Sequence, residues 1–337
     1  MANIKTNYLG LELRNPIIAG SSNLSDSVEK AIKLQEAGVG AIVFKSLFEE
    51  QIQLEELEME QEMEAYSERH AEMIKLFPNL QYAGPEVHLQ RLRETRKAVS
   101  IPLIASINAV YSESWVEYAK KVEKTGVDAI EINFYHTPKD YGVSGATVIA
   151  EQVEILKRIK ASVNIPVSVK LSPYYANQLD VISQLSKAGA DGVVLFNRLF
   201  QPDIDIEHEK LVQKMTLSSP SEMLLPLRFT GLLFGHIPSD ICATTGISNG
   251  SDVVKMILAG ASSVQVASTL YKNKLGHINT MVKELEGWMD KKGYTDIDQF
   301  RGKLSKMNIP FPFAYQRSQY VDILLNAESL LKQKPLI

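Results

Sequence analysis

The chain has 337 residues and a formal net charge of −4; 45% of its residues are hydrophobic and 23% are charged. This composition is ordinary for a globular protein, and the length is ample to bury a large core, so disorder is not indicated. Because no basic excess is clustered and no window approaches about eighteen consecutive apolar residues, we expect no nucleic-acid partner and no membrane span.

The segments at the start of the chain and around the cysteine bear on the cellular compartment. The opening MANIKTNYLGLEL lacks the basic and apolar regions of a secretory signal peptide, so we expect a cytoplasmic location. The chain has a single cysteine, Cys242, which cannot form an internal disulfide. It lies inside an apolar run, so we expect it to pack in the core rather than to react.

Eight apolar strands are predicted along the chain. Four belong to a recurring phrase in which a small residue and a glycine end a helix, as a C-cap does, before a β-branched run. The other four are preceded or opened by proline or a polar turn, and proline is tolerated at the first residue of a strand. In chain order they are NPIIAGS (15–21), AGVGAIVFKS (37–46), IPLIASI (101–107), TGVDAIEINF (125–134), IPVSVKL (165–171), AGADGVVLFN (188–197), DICATTG (240–246) and AGASSVQVAS (259–268).

This alternation of strands and helices predicts an α/β fold. Eight parallel strands with helical crossovers favour a closed (β/α)8 TIM barrel, because closure removes the sheet edges. We expect one domain over residues 1–337, since no linker-like break interrupts the strands. The alternative is an open, doubly wound sheet.

Two connections are longer than a simple crossover and are predicted insertions. One follows the second strand (47–100) and begins with an acidic run, and the other follows the sixth strand (198–238). Both leave the carboxyl ends of strands, where barrel enzymes carry their binding loops, so both are candidate lids. After the eighth strand, apolar residues at helical spacing predict a covering helix that ends near Gly293.

The last residues of the strands should meet at one rim of the barrel. These strand ends offer lysines, amides and small hydroxyl residues but no carboxylate or cysteine, so no metal site is expected there. The turns after strands seven and eight would expose backbone N–H groups, as phosphate sites in barrels do, although a tight turn alone explains them equally well. These turns contain Thr245, Gly246, Ala267 and Ser268.

Two lysines and two asparagines dominate the remaining strand ends. Lys45 and Lys170 could meet a phosphate or a polarised ring, or could simply lie in solvent. Asn133 and Asn197 offer both donors and acceptors to a planar heterocycle, or could satisfy local backbone groups. Together these residues suit a phosphorylated planar cofactor better than they suit hydrolysis.

These residues resemble those of the dihydroorotate dehydrogenase family, which are FMN-containing barrels that oxidise the ring CH–CH bond of dihydroorotate to orotate in pyrimidine biosynthesis. The resemblance covers nearly the whole chain and is closest to the soluble class, which is typically homodimeric. It rests on LGLELRNPIIAGS, VFKS, IEIN, VKLSPY, TGISNGSDVVKMILAGASSVQVASTL and KELEGWMDKKGYTDIDQFRGKL.

The resemblance implies a role for each matching residue. Lys170 would be catalytic, stabilising negative charge on the reduced flavin. Lys45, Asn133 and Asn197 would also face the substrate. The residues implied to bind FMN are Gly20, Ser21, Ser22, Lys45, Ser46, Asn133, Lys170 and Asn197, with Thr245, Gly246, Ala267 and Ser268 near its phosphate.

The sequence departs from the family on the substrate side. Where the family usually has N-L-S-C-P-N, with cysteine or serine as the base, this chain has NFYHTP from Asn133 to Pro138. His136 thus occupies the base position and Pro138 replaces a substrate-binding amide. An imidazole titrates near neutrality and could serve as the base, or His136 could line a changed pocket.

Three hypotheses follow for the function. The first is an FMN-dependent oxidoreductase that acts on a small-molecule substrate, either dihydroorotate or a different ring or enoate compound. The second is a catalytically degenerate flavin-binding barrel with a binding or regulatory role. The third is a phosphate-binding lyase or isomerase that uses no flavin.

Overall fold

The computed structural model describes residues 2–48, 85–108, 112–135, 141–199, 201–213 and 216–325. Its strands form two small antiparallel hairpins, β1–β2 and β9–β10, and a closed barrel of eight parallel strands. The strands are β1 Thr6–Tyr8, β2 Leu11–Leu13, β3 Ile17–Ala19, β4 Ala41–Phe48, β5 Leu103–Asn108, β6 Ala129–Phe134, β7 Val167–Leu171, β8 Gly192–Leu195, β9 Pro202–Asp205, β10 Lys210–Gln213, β11 Asp240–Thr244 and β12 Ser263–Val266.

Closure of the barrel confirms the predicted TIM architecture, and the open doubly wound alternative is wrong. The strand order is β3-β4-β5-β6-β7-β8-β11-β12, and β12 pairs in parallel with β3. All eight predicted strands are therefore barrel strands. Their carboxyl ends lie on one rim, as parallel pairing requires.

Helices follow the barrel strands and cover the outside of the barrel. Several begin at a side chain that accepts a hydrogen bond from the third residue of the helix, as Ser27, Ser144, Asn177 and Asn249 do. The helices are α1 Val28–Glu36, α2 Pro85–Ala98, α3 Ser112–Glu123, α4 Gly145–Lys160, α5 Gln178–Lys187, α6 Leu224–Leu233, α7 Gly250–Ala259, α8 Ser268–Asn273, α9 His277–Lys292 and α10 Arg317–Leu325.

The recurring phrase in the sequence marks a recurring backbone conformation. The glycine of each copy has a positive φ, with values of 101° at Gly38, 85° at Gly126, 103° at Gly189 and 125° at Gly260. Residues with a side chain rarely adopt this conformation, whereas glycine does so without steric cost. Each glycine therefore lets the chain leave a helix and turn into the next buried strand.

Two apolar layers hold the barrel together. The larger lies between the strands and the surrounding helices, and the smaller fills the barrel interior near its amino-terminal end. The β1–β2 hairpin contributes Tyr8, Leu9 and Leu13 to the inner layer, where they pack with residues such as Ile18 and Cys242. The hairpin thus closes the amino-terminal mouth, and Cys242 is buried in the core as expected.

The structure describes more of the second predicted insertion than of the first. Residues 49–84 of the first one, which include most of its acidic run, lie outside the described residues. The second contains the β9–β10 hairpin and a short 3-10 helix, Pro220–Met223, which leads into α6. Within the described part of the chain, no helix is both long enough and apolar enough to cross a membrane.

The predicted covering helix is α9, which ends at Gly293 with a left-handed φ of 76°. Trp288 on this helix packs against two aromatic rings, with centroid distances of 5.6 Å to Tyr294 and 5.0 Å to Phe300. A 3-10 turn capped by Asp296 precedes Phe300. The segment after the last barrel strand is therefore part of the folded body.

Candidate active site

Side chains that point into the barrel change from apolar to polar toward the carboxyl-terminal rim. Successive strand residues face opposite sides, so every second residue of a barrel strand points inward. On β6 the inward positions are Ala129, Glu131 and Asn133, and on β7 Lys170 pairs in register with Asn133. The amino-terminal half of the interior is thus a packed core, and the other half is a polar site.

A cavity of about 550 Å³ opens above this polar layer. This volume lies within the range of about 300–1,000 Å³ that is typical of small-molecule sites. Its lining includes eleven of the residues predicted for the site. They are Ser21, Ser22, Lys45, Ser46, Asn133, Lys170, Asn197, Thr245, Gly246, Ala267 and Ser268.

Two predicted residues are not part of this lining. Gly20 lies at the seam between β3 and β12, where its N–H donates to the carbonyl of Val266 at 2.9 Å. His136, the candidate base, lies outside the described residues. The base assignment therefore stays a prediction.

An irregularity in β4 explains how two consecutive residues reach one cavity. Lys45 and Ser46 both line it, although neighbours in a regular strand point to opposite faces. The register between β4 and β5 shifts between Phe44 and Leu47, as it does at a β-bulge, which re-aims side chains. Ser46 then contacts Ser21 at 3.1 Å and Ser106 at 2.7 Å through its hydroxyl.

The two predicted asparagines form a pair across the rim. Asn197 Nδ2 donates to Asn133 Oδ1 at 2.7 Å, and Asn197 Oδ1 accepts the backbone N–H of Arg198 at 3.0 Å. Because an amide nitrogen carries two hydrogens, each side chain keeps a further donor. The pair can therefore present N–H groups to the edge of a planar ligand.

Lys170 belongs to a chain of three polar side chains. Its Nζ lies 2.9 Å from Gln265 Oε1 and 3.6 Å from Glu131 Oε1, and Gln265 Nε2 donates to Glu131 Oε2. Glu131 is completely buried, and Gln265 is nearly so. The site thus contains a carboxylate one layer below the strand ends, where none was expected or considered.

This carboxylate was missed because only the last one or two residues of each strand were considered. Glu131 is two residues before Asn133, and Gln265 is two residues before Ala267. The alternation of a strand places both on the inward side, one layer below the rim. The alternating polar residues of EIN, and a glutamine inside the apolar run SVQV, were the signal that could have revealed them.

The turns after β11 and β12 form a cradle of hydroxyl and N–H groups. Thr245 and Gly246 have positive φ values of 77° and 76°. Gly246 N–H donates to Ser218 Oγ at 3.2 Å, and Ser218 N–H donates to Ser268 Oγ at 3.1 Å. The buried hydroxyl of Tyr271, another cavity residue, has no hydrogen-bond partner among the described residues. A ligand oxygen at this end of the cavity could satisfy it.

Arg198 forms a wall between this cavity and an adjoining groove. Its Nε donates to Glu222 Oε1 at 2.8 Å, and its NH2 group donates to Thr216 Oγ1 at 3.0 Å. Burial would raise the pKa of Glu222, but the Ser219 N–H and the Arg198 guanidinium lower it on balance. No strand-end pattern marked these residues, because they lie after β8 and in the second insertion.

Metal ligation is not indicated at this site. No group of three histidine, cysteine, aspartate or glutamate side chains that could hold a metal occurs in the part of the chain that the structure describes. Glu131 contacts an ammonium and an amide instead.

A partly buried histidine lies near Lys45. The ring of His88 on α2 packs edge-on against Phe44 at a centroid distance of 5.5 Å. Burial lowers the pKa of His88 to about 4, and the positive charges of Arg91 and Lys45 add to this effect. Because the ordinary value is about 6.5, the folded protein keeps this imidazole neutral where the unfolded chain protonates it.

We expect His88 to make the protein less stable in mild acid. A folded-state pKa below the unfolded value means that stability is lost as the pH falls from about 6.5 to about 4. Between pH 7 and pH 5 this group should lower the free energy of unfolding by about 2 kcal/mol. The His88→Phe variant should not show this decrease. Urea unfolding at both pH values measures the difference. His236→Phe, at an exposed side chain whose ring contacts only a backbone carbonyl among the described residues, is the control.

Comparison with known proteins places the chain among dihydroorotate dehydrogenases, whose family model matches residues 3–289. The dihydroorotate dehydrogenase B (NAD(+)) catalytic subunit of Thermoplasma volcanium is 29% identical over 308 residues, which cover 90% of this chain and 98% of that protein. The corresponding subunit of Methanosarcina mazei is 28% identical, with coverages of 88% and 94%. The dihydroorotate dehydrogenase A (fumarate) of Lactobacillus helveticus is 29% identical, with coverages of 90% and 99%.

Proposed function

Since the chain belongs to the dihydroorotate dehydrogenase family, a family of FMN-dependent oxidoreductases that act on CH–CH groups, we propose that it oxidises dihydroorotate to orotate in pyrimidine biosynthesis. The observation that carries this proposal is the position of Lys170, whose ammonium group borders a cavity of small-molecule size. The family match does not favour the degenerate barrel or the enzyme without flavin.

The residues around the cavity suit FMN in their chemistry. The paired amides of Asn133 and Asn197 suit a ring edge with alternating donors and acceptors. The turns around Gly246 and Ser268 offer hydroxyl groups, and the hydroxyl of Tyr271, which has no hydrogen-bond partner among the described residues, suits a phosphate oxygen. We therefore propose that the ring lies near Lys170 and that the phosphate lies near the turns after β11 and β12.

Each part of the site has a task in this reaction. Dihydroorotate loses a hydride and a proton from adjacent ring carbons, and bound FMN supplies the two-electron acceptor for the hydride. Lys170 stabilises the negative charge that this transfer creates, as a fixed cation that needs no solvent rearrangement. Lys45, Asn133 and Asn197, which line the cavity, orient the substrate.

The proton needs an acceptor, and His136 is the proposed base. Its position in the sequence is where the family usually has cysteine or serine. A neutral imidazole can take a carbon-bound proton when it lies within hydrogen-bonding reach. Pro138 replaces a substrate-binding amide, so a related ring substrate in place of dihydroorotate is the second candidate.

The purified protein should be yellow and should release FMN on denaturation. Anaerobic mixing with dihydroorotate should then bleach the flavin absorbance, because hydride transfer reduces the ring. His136→Ala should slow this bleaching by about 10²–10⁴-fold if the imidazole is the base. A colourless protein that FMN does not reconstitute would contradict the proposal. If another ring compound bleaches the flavin and dihydroorotate does not, that compound replaces dihydroorotate as the proposed substrate.

We also propose a homodimer in the cytoplasm. The β9–β10 hairpin exposes Ile204, Ile206 and Leu211, with relative exposures of 62%, 79% and 74%. Clustered apolar side chains on a surface favour contact with another chain. A second copy of this chain is the proposed partner of that hairpin.

A further inference from the structure

Glu131 lines the floor of the cavity, one layer below the strand ends, and has no place in the proposed reaction. It is completely buried, and a buried carboxylate is costly unless it is paired. Its Oε2 accepts a hydrogen bond from Gln265 Nε2, and its Oε1 lies 3.6 Å from Lys170 Nζ. Oε1 has no hydrogen-bond partner among the described residues. The carboxylate therefore faces the cation that the reaction uses.

The carboxylate determines which way the amide of Gln265 points. An ionised carboxylate only accepts hydrogen bonds, so the amide must turn its nitrogen toward Glu131. Its oxygen then faces the opposite side, where it accepts from Lys170 Nζ at 2.9 Å. With a neutral amide at position 131, either orientation would be satisfied. One of them would point an N–H group at the ammonium of Lys170.

We propose that Glu131 is a positioning residue, which acts through the side-chain amide of Gln265 to hold the ammonium group of Lys170 against the flavin. A lysine side chain has a flexible four-carbon stem, so its charge reaches a defined point only when other groups fix it. Glu131 and Gln265 are rigidly placed, because both project from barrel strands into a packed interior. This inference rests on the proposed function, since Lys170 acts on a flavin only if FMN occupies the cavity.

A positioning role of Glu131 and a direct effect of its charge predict opposite changes in the midpoint potential of the flavin. A well-placed ammonium favours the negative charge of the reduced ring, so its displacement should make the potential more negative. Removal of a nearby carboxylate, considered as a charge alone, should make it more positive. The sign of the shift therefore separates the two roles.

The test compares FMN-loaded wild type with Glu131→Gln, a substitution of nearly equal shape. We expect a more negative midpoint potential, a reduction by dihydroorotate that is at least tenfold slower, and a KM within about twofold of wild type. Gln265→Met keeps the carboxylate but removes the bridge, and it should shift both quantities in the same directions. This variant also tests the proposal if Glu131→Gln does not fold. Glu12→Gln, at an exposed carboxylate on β2, is the matched control.

Other outcomes would overturn the inference. A more positive potential in Glu131→Gln with no change in Gln265→Met would mean that the carboxylate acts only by its charge. A lower FMN content with an unchanged potential and unchanged turnover per bound flavin would mean a purely structural role. Reduction by dithionite measures the potential even if dihydroorotate is not the substrate, so failure of the substrate proposal is distinguishable. Wild-type protein without FMN would overturn both proposals.

Discussion

Lys170→Met should slow reduction of the bound flavin by dihydroorotate by about 10²–10³-fold, the range seen when one preorganised charge-stabilising group is removed. Methionine keeps much of the length of the side chain but cannot carry the charge. The loss should appear in the rate per bound flavin, because Lys170 is proposed to act on charge that develops during hydride transfer. Stopped-flow absorbance under anaerobic conditions measures this rate.

The same substitution has a second expected effect on stability. It would leave Glu131 as a buried carboxylate without its cation, and removal of one partner of a buried pair costs about 3–5 kcal/mol. Urea unfolding should detect this loss, so the rate must be normalised to the folded, flavin-loaded fraction. Lys5→Met, which removes an exposed ammonium paired with Glu12, is the control and should leave the rate unchanged. A Lys170→Met rate within about threefold of wild type would contradict the assigned role.

Gly246→Ala should destabilise the protein by about 2–4 kcal/mol and should also weaken FMN binding. Gly246 has a φ of 76°, a conformation that is unfavourable for a residue with a side chain. An added Cβ would lie 2.4 Å from the backbone nitrogen of Met223 and 2.8 Å from the carbonyl oxygen of Ser219. Both are backbone atoms, so they cannot move away as a flexible side chain could.

The measurements for Gly246→Ala are urea unfolding and titration of the apoprotein with FMN. Weaker binding is expected because the shifted turn would displace Gly246 N–H from Ser218 and disturb the proposed phosphate cradle. Gly287→Ala is the control, because Gly287 lies within α9 and an added Cβ there meets nothing within 4 Å. That change should raise stability by up to about 1 kcal/mol. Equal stabilities of the two variants would contradict the steric argument.

The fold was predictable because the same local rule is repeated around the barrel. Each copy of the recurring phrase needs a glycine with positive φ and a buried strand after it, and both leave a clear pattern. The β9–β10 hairpin was not predicted, because its strands are short, the first begins at a proline, and both contain charged residues. Such a hairpin on the surface needs no apolar face against a core, so its sequence carries little periodic signal.

The rim of the site was more predictable than its lower layer and its walls. Lys45, Asn133 and Lys170 were identifiable because they end predicted strands, and parallel strands end on the same rim. Glu131 and Gln265 are important only as a pair, and residues 134 positions apart meet only once the barrel closes. Arg198 and Tyr271 lie outside the strands, so only tertiary packing brings them to the cavity.

The hairpin that closes the amino-terminal mouth depends on the far end of the chain. Thr6 Oγ1 donates to the carbonyl of Ser262 at 2.9 Å and accepts from Arg301 at 2.6 Å, across 295 positions of sequence. A ribosome that adds about 5–20 residues per second needs roughly 15–60 s to cover that distance. Until β12 (Ser263–Val266) has emerged, the nascent barrel has open strand edges. The barrel can therefore close only late in synthesis, after its last strand has been made.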